Sequence, residues 1–455
     1  MLTSLKKRIP RRVMHAYHFL RALIAVVING YPARHLTVIG VTGTDGKTTT
    51  SHLIYHILHA AGQPVSLIST TGAIIHGREN QPLGLHVTTP NPFELQNFIK
   101  EAVRAGSKYL VLESTSHGLA QYRVWGSNYQ IGVVTNITRE HLDYHGSYEQ
   151  YLKDKARLLK TVKTSILNRD DSSFEKLKPL AGGKLLTYGL KPGADITSDG
   201  FRLTPAGPAL SGDAPNINNV VITKGEGMDI TIPRLGRTVR AQLVGDYNAQ
   251  NILAATSVGL TLGLAPDAIA AGIEKATPPP GRLQRVDAGQ PFTVFVDFAH
   301  TPNSLENVLK LLRGMAKKRL IVVFGCAGLR DPYKRHPMGT SAGRYANLTV
   351  ITAEDPRTEN LDDIMAEVAK GVESQGKLRN ESYFLIGDRQ QAIQFAMDHA
   401  QPGDIVVTCG KAHEQSMCFG TVEYPWDEFQ AVKHALGVAG VAPLLLPTAQ
   451  SSPKK

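Results

Sequence analysis

Residues 40–50 read Gly40-Val41-Thr42-Gly43-Thr44-Asp45-Gly46-Lys47-Thr48-Thr49-Thr50, and the rest of the chain is read outward from this run. Upstream, the apolar and β-branched Leu36 to Val41 predicts a strand; downstream, Lys47 to Ala60 has the periodicity of a helix. Gly43 to Gly46 makes the tight loop between them. In such a unit the backbone N–H groups of a glycine loop surround phosphate oxygens, Lys47 adds a point charge and the Thr48 hydroxyl reaches Mg²⁺. The usual pattern puts its first glycine where this chain has Val41, so the loop is a variant with glycines at 40 and 43. An ordinary turn explains the glycines but not Gly-Lys-Thr opening a helix straight after a strand.

Further strands are expected at Val65 to Ile68, Tyr109 to Leu112, Ile131 to Thr135 and Thr164 to Leu167, with helices at Phe93 to Ala105 and Tyr148 to Leu159. This alternation predicts an α/β fold with a mostly parallel, P-loop ATPase-like sheet. From Asp195 to Leu243 short alternating segments such as Val220 to Thr223 and Met228 to Ile232 predict an antiparallel insert. Helices return at Tyr247 to Leu260 and Pro266 to Ala276, and Thr277-Pro278-Pro279-Pro280-Gly281 then ends the domain, because such a run cannot continue a helix. A second, Rossmann-like α/β domain follows, with strands at Thr293 to Asp297, Arg319 to Phe324, Thr349 to Ile351, Tyr383 to Ile386 and Asp404 to Thr408. The expected domains are therefore 1–35 as a leader, 36–277, 278–437, and a flexible tail at 438–455. Ligands of open parallel sheets sit outside the carboxyl ends of the strands, which directs attention to the loops that follow them.

Glu113 ends the Tyr109 strand, and His141, Asp143 and His145 follow the Ile131 strand. Oxygen and imidazole donors of this kind suit Mg²⁺ or Mn²⁺ beside phosphates better than structural zinc. Lys155 lies on the next helix, and periodicity alone makes it a solvated lysine. The three cysteines, Cys326, Cys409 and Cys418, form no C-x-x-C pair, which argues for a reducing, cytoplasmic setting and against a disulfide scaffold.

The net charge is +11, from 50 Lys and Arg against 39 Asp and Glu. Much of it lies in the leader, where Lys6, Lys7, Arg8, Arg11, Arg12, Arg21 and Arg34 precede the first acidic residue, Asp45. The apolar run Ala22 to Ile28 is far short of the roughly 18 residues that cross a bilayer. The leader is expected to be an amphipathic helix that packs on the protein's own body, or lies on an anionic membrane at the inner face. No aromatic-interleaved basic repeat appears, so nucleic acid is not an expected partner.

The motifs HVTTP (86–90), ESTSHGL (113–119), TNITREHLDYHGSYEQYLKDKARLL (135–159), GDYNAQN (245–251), VDFAHTPNSL (296–305), FGCAGLRDPYKRHPMG (324–339), EDPR (354–357) and GKAHE (410–414) complete the picture. Together with the opening loop, they make the chain resemble the Mur ligases, and among them the UDP-N-acetylmuramoyl-tripeptide synthetases of peptidoglycan synthesis. The resemblance implies ATP binding by Gly43, Thr44, Asp45, Gly46, Lys47, Thr48 and Thr49, with Asn251, Asp297, His300, Asp331 and Lys334 in motifs associated with the nucleotide. It implies Thr48, Glu113, His141 and a carbamylated Lys155 at the Mg²⁺ ion, and Lys47, Glu113, His141 and Lys155 as the catalytic set. Thr88, Thr89, Thr115 and Arg123 would hold a muramoyl-peptide acceptor; Arg330, Glu354, Asp355, Arg357, Gly410 and Glu414 would hold the amino acid, with meso-diaminopimelate favoured. The implied reaction is attack of the acceptor carboxylate on the γ-phosphate of ATP, then attack of the amine on the acyl phosphate. Two α/β domains joined at a Pro-rich hinge would shield that intermediate from water.

The chain departs from the family in three places. Only 39 residues precede Gly40, so the usual N-terminal domain that holds the uridine nucleotide is not expected here. Folylpolyglutamate synthetases also lack that domain, so a ligase with a non-UDP, glutamyl-type or lipid-linked acceptor is the nearest alternative. A noncatalytic nucleotide-binding scaffold at an anionic surface is the alternative of a different class; the joint presence of Lys47, Glu113, His141 and Lys155 opposes it. Second, Glu354-Asp355-Pro356-Arg357 stands where diaminopimelate-adding relatives have Asp-Asn-Pro-Arg, so Asp355 puts an anion in place of an amide. Third, Ala412 replaces a glycine, a small change unless the position needs a positive φ.

Overall fold

The computed structural model describes residues 11–76, 80–81, 88–204, 227–444 and 446. The expected strand at Val220 to Thr223, residues His86 and Val87, leader residues Lys6, Lys7 and Arg8, and most of the tail lie outside them. The chain forms two compact units that divide between Thr277 and Pro278.

The first unit is built on an eight-stranded sheet of β1 (Thr37–Thr42), β2 (Val65–Ser69), β3 (Gly72–Ile74), β4 (Asn80–Gln81), β5 (Tyr109–Glu113), β6 (Tyr129–Val134), β7 (Thr164–Asn168) and β8 (Lys184–Tyr188). Their order is β4-β3-β2-β5-β1-β6-β7-β8, parallel from β2 to β8, with β3 and β4 as an antiparallel edge. Successive side chains of β1 enter opposite faces: Val38 joins one core cluster, whereas Ile39 joins the other. Gly40 lies within β1, and a Cβ there would stand 2.6 Å from Leu158 Cδ1 and 2.7 Å from the Tyr129 ring. It is thus a packing glycine, not part of the phosphate loop. The expected helix Tyr148 to Leu159 is α-helical only to Ala156 and tightens into a 3₁₀ turn over Arg157–Leu159, as Leu158 and Leu159 both pack against the glycines of β1 and β6.

The insert is a three-stranded antiparallel sheet of β9 (Gly200–Thr204), β10 (Gly227–Ile232) and β11 (Arg237–Ala241). Met228, Ile230, Ile232 and Val239 share one core with Leu53 and Ile57 of the Lys47–Ala60 helix and Ile269 and Ile273 of the Pro266–Lys275 helix. At the carboxyl ends of the main sheet, Val41 is level with Glu113 and Thr42 with Val134, which brings the loops after β1, β5 and β6 together.

The leader forms a helix over Arg11–Ile28. Ala22, Ala25 and Val26 are fully buried against the first unit, with Val26 over Gly126 and Phe19 edge-on to Tyr122 and Trp125. Val13, Tyr17, Leu20, Ile24 and Val27 run along the other side and remain 41–56% exposed. Among the described residues no helix is long and apolar enough to cross a membrane.

The second unit holds β12 (Gln284–Val286), β13 (Thr293–Asp297), β14 (Leu320–Phe324), β15 (Leu348–Ile351), β16 (Tyr383–Leu385) and β17 (Ile405–Cys409) in the order β12-β13-β17-β14-β15-β16, parallel except for β12. A hairpin of β18 (Ser416–Phe419) and β19 (Val422–Pro425) follows. All three cysteines are free and buried, and burial pushes the Cys409 and Cys418 thiols up.

Candidate active site

In the first unit the loop after β1 is braced by the loop after β6. The Thr44 amide donates to the Asn136 carbonyl (2.8 Å), the Asp45 amide to Asn136 Oδ1 (2.9 Å), and Thr135 Oγ1 to the Asp45 carbonyl (2.6 Å). A Cβ at Gly43 would lie 1.8 Å from Thr135 Oγ1, so the brace itself demands glycine there. Gly46, at φ 79, opens the Lys47–Ala60 helix, and a Cβ on it would meet Asn251 Oδ1 at 2.4 Å. Asn251 also accepts from Thr50 Oγ1 (3.2 Å), so in this structure it buttresses the loop from below. Lys47 Nζ donates to the Thr44 carbonyl at 2.8 Å, and Thr49 is buried.

Glu113 is fully buried at the end of β5. Its Oε1 accepts from Thr48 Oγ1 (3.1 Å) and Thr70 Oγ1 (2.8 Å), and its Oε2 from the Thr70 amide (2.9 Å). A carboxylate and two hydroxyls in contact form a hard-oxygen donor set of the kind Mg²⁺ or Mn²⁺ takes, so these residues fit such an ion. Thr70 Oγ1 also lies 3.1 Å from Thr88 Oγ1. Beyond it, Thr89 and Thr115 hydroxyls are 3.1 Å apart and Arg123 Nη1 donates to the Thr89 carbonyl (3.0 Å). Thr70 has no motif of its own, and only the fold reveals it.

The histidines separate. His145 is buried between Asp154 (2.8 Å) and Ser116 (3.1 Å), a structural strut, while Asp143 is exposed. His141, at φ 57, packs edge-on in a ring cluster with its centroid 5.0 Å from His117 and 6.3 Å from Tyr151. Among the described residues no three His, Cys, Asp or Glu side chains converge as metal ligands. Lys155 is only 2% exposed, in contrast to the solvated lysine that periodicity gave. Its Nζ donates to the Gly43 carbonyl at 2.5 Å and lies 4.7 Å from the Tyr151 ring centre. Its neighbour Asp154 pairs with His145 and Arg157 instead. Burial first, then the charge of Lys47, hold the Lys155 amine well below the usual lysine range despite Asp45, Glu113 and Glu140 nearby.

In the second unit Asp297 ties the loop after β13 to the start of the unit, accepting from the Leu283 (2.6 Å) and Ala299 (2.7 Å) amides. Burial, helped by Lys334, brings His300 down to about 3, and Lys334 Nζ donates to its carbonyl at 2.9 Å. Asp331 caps the Pro332–Lys334 turn, and Arg330 is exposed beside it. Burial raises Glu354 to about 7 against the pull of Lys334 and Arg389, and a Cβ on Gly410 (φ 95) would meet its Oε2 at 2.2 Å. Lys411 is fully buried and pairs with Asp355 (2.9 Å) and Glu414 (3.0 Å). Asp355 also accepts from the Cys418 amide (3.0 Å) and lies 3.7 Å from Arg357. Its charge therefore belongs to Lys411 and partly offsets Arg357, whose Nη1 donates to the Gly328 carbonyl at 2.7 Å. Ala412 is not among the positive-φ residues, so alanine is tolerated there; its Cβ would stand 2.4 Å from one on Gly281. Sequence reasoning missed Lys411 and the fully buried Arg389–Glu428 pair (2.7 Å) under this site.

Residues 41–259 match the Mur ligase middle domain and residues 281–412 the Mur ligase glutamate ligase domain. The chain is 37% identical over 436 residues to the UDP-N-acetylmuramyl-tripeptide synthetase of Roseiflexus sp. (strain RS-1), covering 92% of this chain and 82% of that one. It is 36% identical over 424 residues to the UDP-N-acetylmuramoyl-L-alanyl-D-glutamate–2,6-diaminopimelate ligase of Geobacillus thermodenitrificans (strain NG80-2), covering 91% and 82%. A solved structure of a ligase of that same description superposes with a TM-score of 0.57 at 32% identity, covering 88% of this chain and 78% of that one.

Proposed function

This chain belongs to the Mur ligase family of ATP-dependent ligases of peptidoglycan synthesis, and from that premise we propose that it adds an amino acid, meso-diaminopimelate first, to the carboxylate of a muramoyl-peptide acceptor. The observation that supports this most is the convergence of Lys47, Thr48, Glu113 and Lys155 on the loop after β1. An acceptor carboxylate oxygen attacks the γ-phosphorus, the bond to the β,γ-bridging oxygen breaks, and ADP leaves. The amine then attacks the acyl carbon, loses its proton and expels phosphate. Lys47 and the amide-lined loop hold and align the phosphates as charge shifts between them. Glu113 and Thr48 would hold Mg²⁺, which neutralises phosphate charge when bound. Lys155, whose pKa burial holds well below the usual lysine range, is suited to take up CO₂ as a carbamate, which changes it from a group that repels a cation into one that binds it. In the second unit Arg357 and Arg330 favour an amino acid with a distal carboxylate, and Glu354, Gly410 and Glu414 line the same loops.

The test is an incubation with ATP, Mg²⁺, a panel of amino acids and muramoyl peptides with and without UDP, with products identified by mass. The expected product is the diaminopimelate adduct with one ADP and one phosphate per bond. ATP hydrolysis that needs neither acceptor nor amino acid would refute the ligase reading, and kcat/KM for lysine at or above that for diaminopimelate would refute the amino-acid choice.

For the leader helix we infer attachment to an anionic lipid surface. Its exposed apolar stripe lies on a segment whose sequence has seven cations and no acidic residue before Asp45. The full chain should sediment with anionic vesicles at low salt, less so with neutral ones, and Leu20→Asp with Val27→Asp should release it. Equal binding to both vesicle types rejects this.

A further inference from the structure

A small cleft of about 180 Å³ opens where the leader helix meets the first unit, away from the phosphate loop. His18 and Arg21 come from the leader helix, Asn91 and Glu94 from the start of the Pro92–Arg104 helix, and Gln121 and Arg123 from the turn after Ser116–Ala120. Two of these six are guanidinium groups, and among the described residues neither forms an ion pair with a carboxylate. Arg21 rests against aromatic rings, 5.6 Å from the centre of Tyr17 and 5.9 Å from that of Phe93. Arg123 spends its donors on neutral oxygens: Gln121 Oε1 (2.9 and 2.7 Å) and the Thr89 carbonyl (3.0 Å). Glu94, the one acid of the lining, is held by Asn91 Nδ2 at 3.1 Å. The helix N-terminus plays no part, because the Asn91 side chain already accepts from the Phe93 and Glu94 amides. Two guanidinium groups against the single Glu94 carboxylate leave the recess with an excess of positive charge, Arg21 acts on Arg123 as a like charge, and an anion seated between the two relieves that repulsion.

We propose that this cleft binds an anionic group of the acceptor, a carboxylate or a phosphate ester, and that Arg21 and His18 of the leader helix are acceptor-binding residues alongside Arg123. The inference rests on reading Thr88, Thr89, Thr115 and Arg123 as the acceptor site. From Glu113 the polar chain runs through Thr70 and Thr88, and the neighbouring Thr89 leads to Arg123, so the cleft lies at the end of that chain remote from Lys47. The leader thereby supplies recognition as well as packing. Arginine suits the task because its planar fork matches the oxygens of either group.

Direct binding of pyrophosphate and of glutarate to the full-length protein, measured by calorimetry without ATP, tests it and separates the two sources. At least one probe should bind, and Arg21→Met should weaken it about tenfold or more, the scale of a lost charge-assisted contact, while Arg21→Lys retains part of the affinity. Preference for pyrophosphate points to a phosphate ester, and preference for glutarate to a peptide carboxylate. ADP affinity and Tm, measured on the same variants, report that the fold is kept. With an active acceptor, Arg21→Met should raise its KM about tenfold and leave the KM for ATP in place. If neither probe binds wild type, or if Arg21→Met and His18→Gln bind both as wild type does, the proposal falls. Loss of the ligase reaction with probe binding intact would instead count against the functional reading.

Discussion

Lys155 in the first unit and Lys411 in the second are buried to nearly the same depth, 2% and 0% exposed, yet their surroundings shift their pKa values in opposite directions. Lys155 faces a carbonyl and an aromatic ring, and burial with the like charge of Lys47 pulls its pKa well below the usual lysine range. Burial pushes Lys411 the same way, but Glu414 and Asp355 outweigh it and hold the proton on. Burial sets the cost of a charge, and the immediate partners decide whether it is met. Among the described residues the first lysine has no carboxylate partner of its own, and its pKa is lowered; the second is a strut that fixes the loops after β15 and β17.

The largest effect that would test this contrast is on stability. Lys411→Met should cost about 3–5 kcal/mol, because it strands two carboxylates in a dry site, whereas Lys155→Met should cost little; denaturant melts of the two variants compare them directly. Equal losses would mean that the two lysines play one role. Next comes rate. Lys155→Ala should slow ligation on the order of 10³-fold, and bicarbonate or a short carboxylate should restore part of it through the vacated space, while Lys155→Glu restores little because its carboxylate stops short. An unmodified Lys155 found in fully active protein by intact mass and NMR in bicarbonate buffer would end the carbamate reading.

Glu354 sharpens the comparison from the acid side, since there burial prevails over the cations around it. The folded chain keeps the Glu354 proton up to about pH 7, while the unfolded chain releases it near 4.5. Between these values the unfolded state binds fewer protons, so stability falls as pH rises and then levels off. Glu354→Gln should abolish that fall and be the more stable form at pH 8, by about 3 kcal/mol at most; an unchanged pH profile of Tm would place the titration elsewhere. The smallest effect is expected at Lys47→Ala, a loss on the order of 10² in rate with the fold intact. The same change should let Lys155 hold its proton more readily, which a shift of its NMR titration to higher pH would register.

The phosphate loop was legible because its parts are contiguous: an apolar strand, a glycine turn and Gly-Lys-Thr lie within thirteen residues, Leu36 to Thr48. The burial of Lys155 was also within reach, since Tyr151, Leu152, Leu158 and Leu159 share its buried side. What stayed hidden depends on distant pairs. Nothing near Thr70 announces that its amide and hydroxyl hold Glu113, 43 positions away. Likewise Asp355 looks available for an ammonium group until the fold brings it to Lys411. Register brings such partners together, and local pattern carries no record of register.

The buried cysteines have a practical consequence. With Cys326, Cys409 and Cys418 shut away from solvent and the last two held as thiols, a maleimide dye finds little to react with in the native chain. One cysteine introduced at the exposed Tyr333, beside Lys334, would then carry a single fluorophore, and the wild-type background would serve as a ready-made blank for watching ligands arrive in real time.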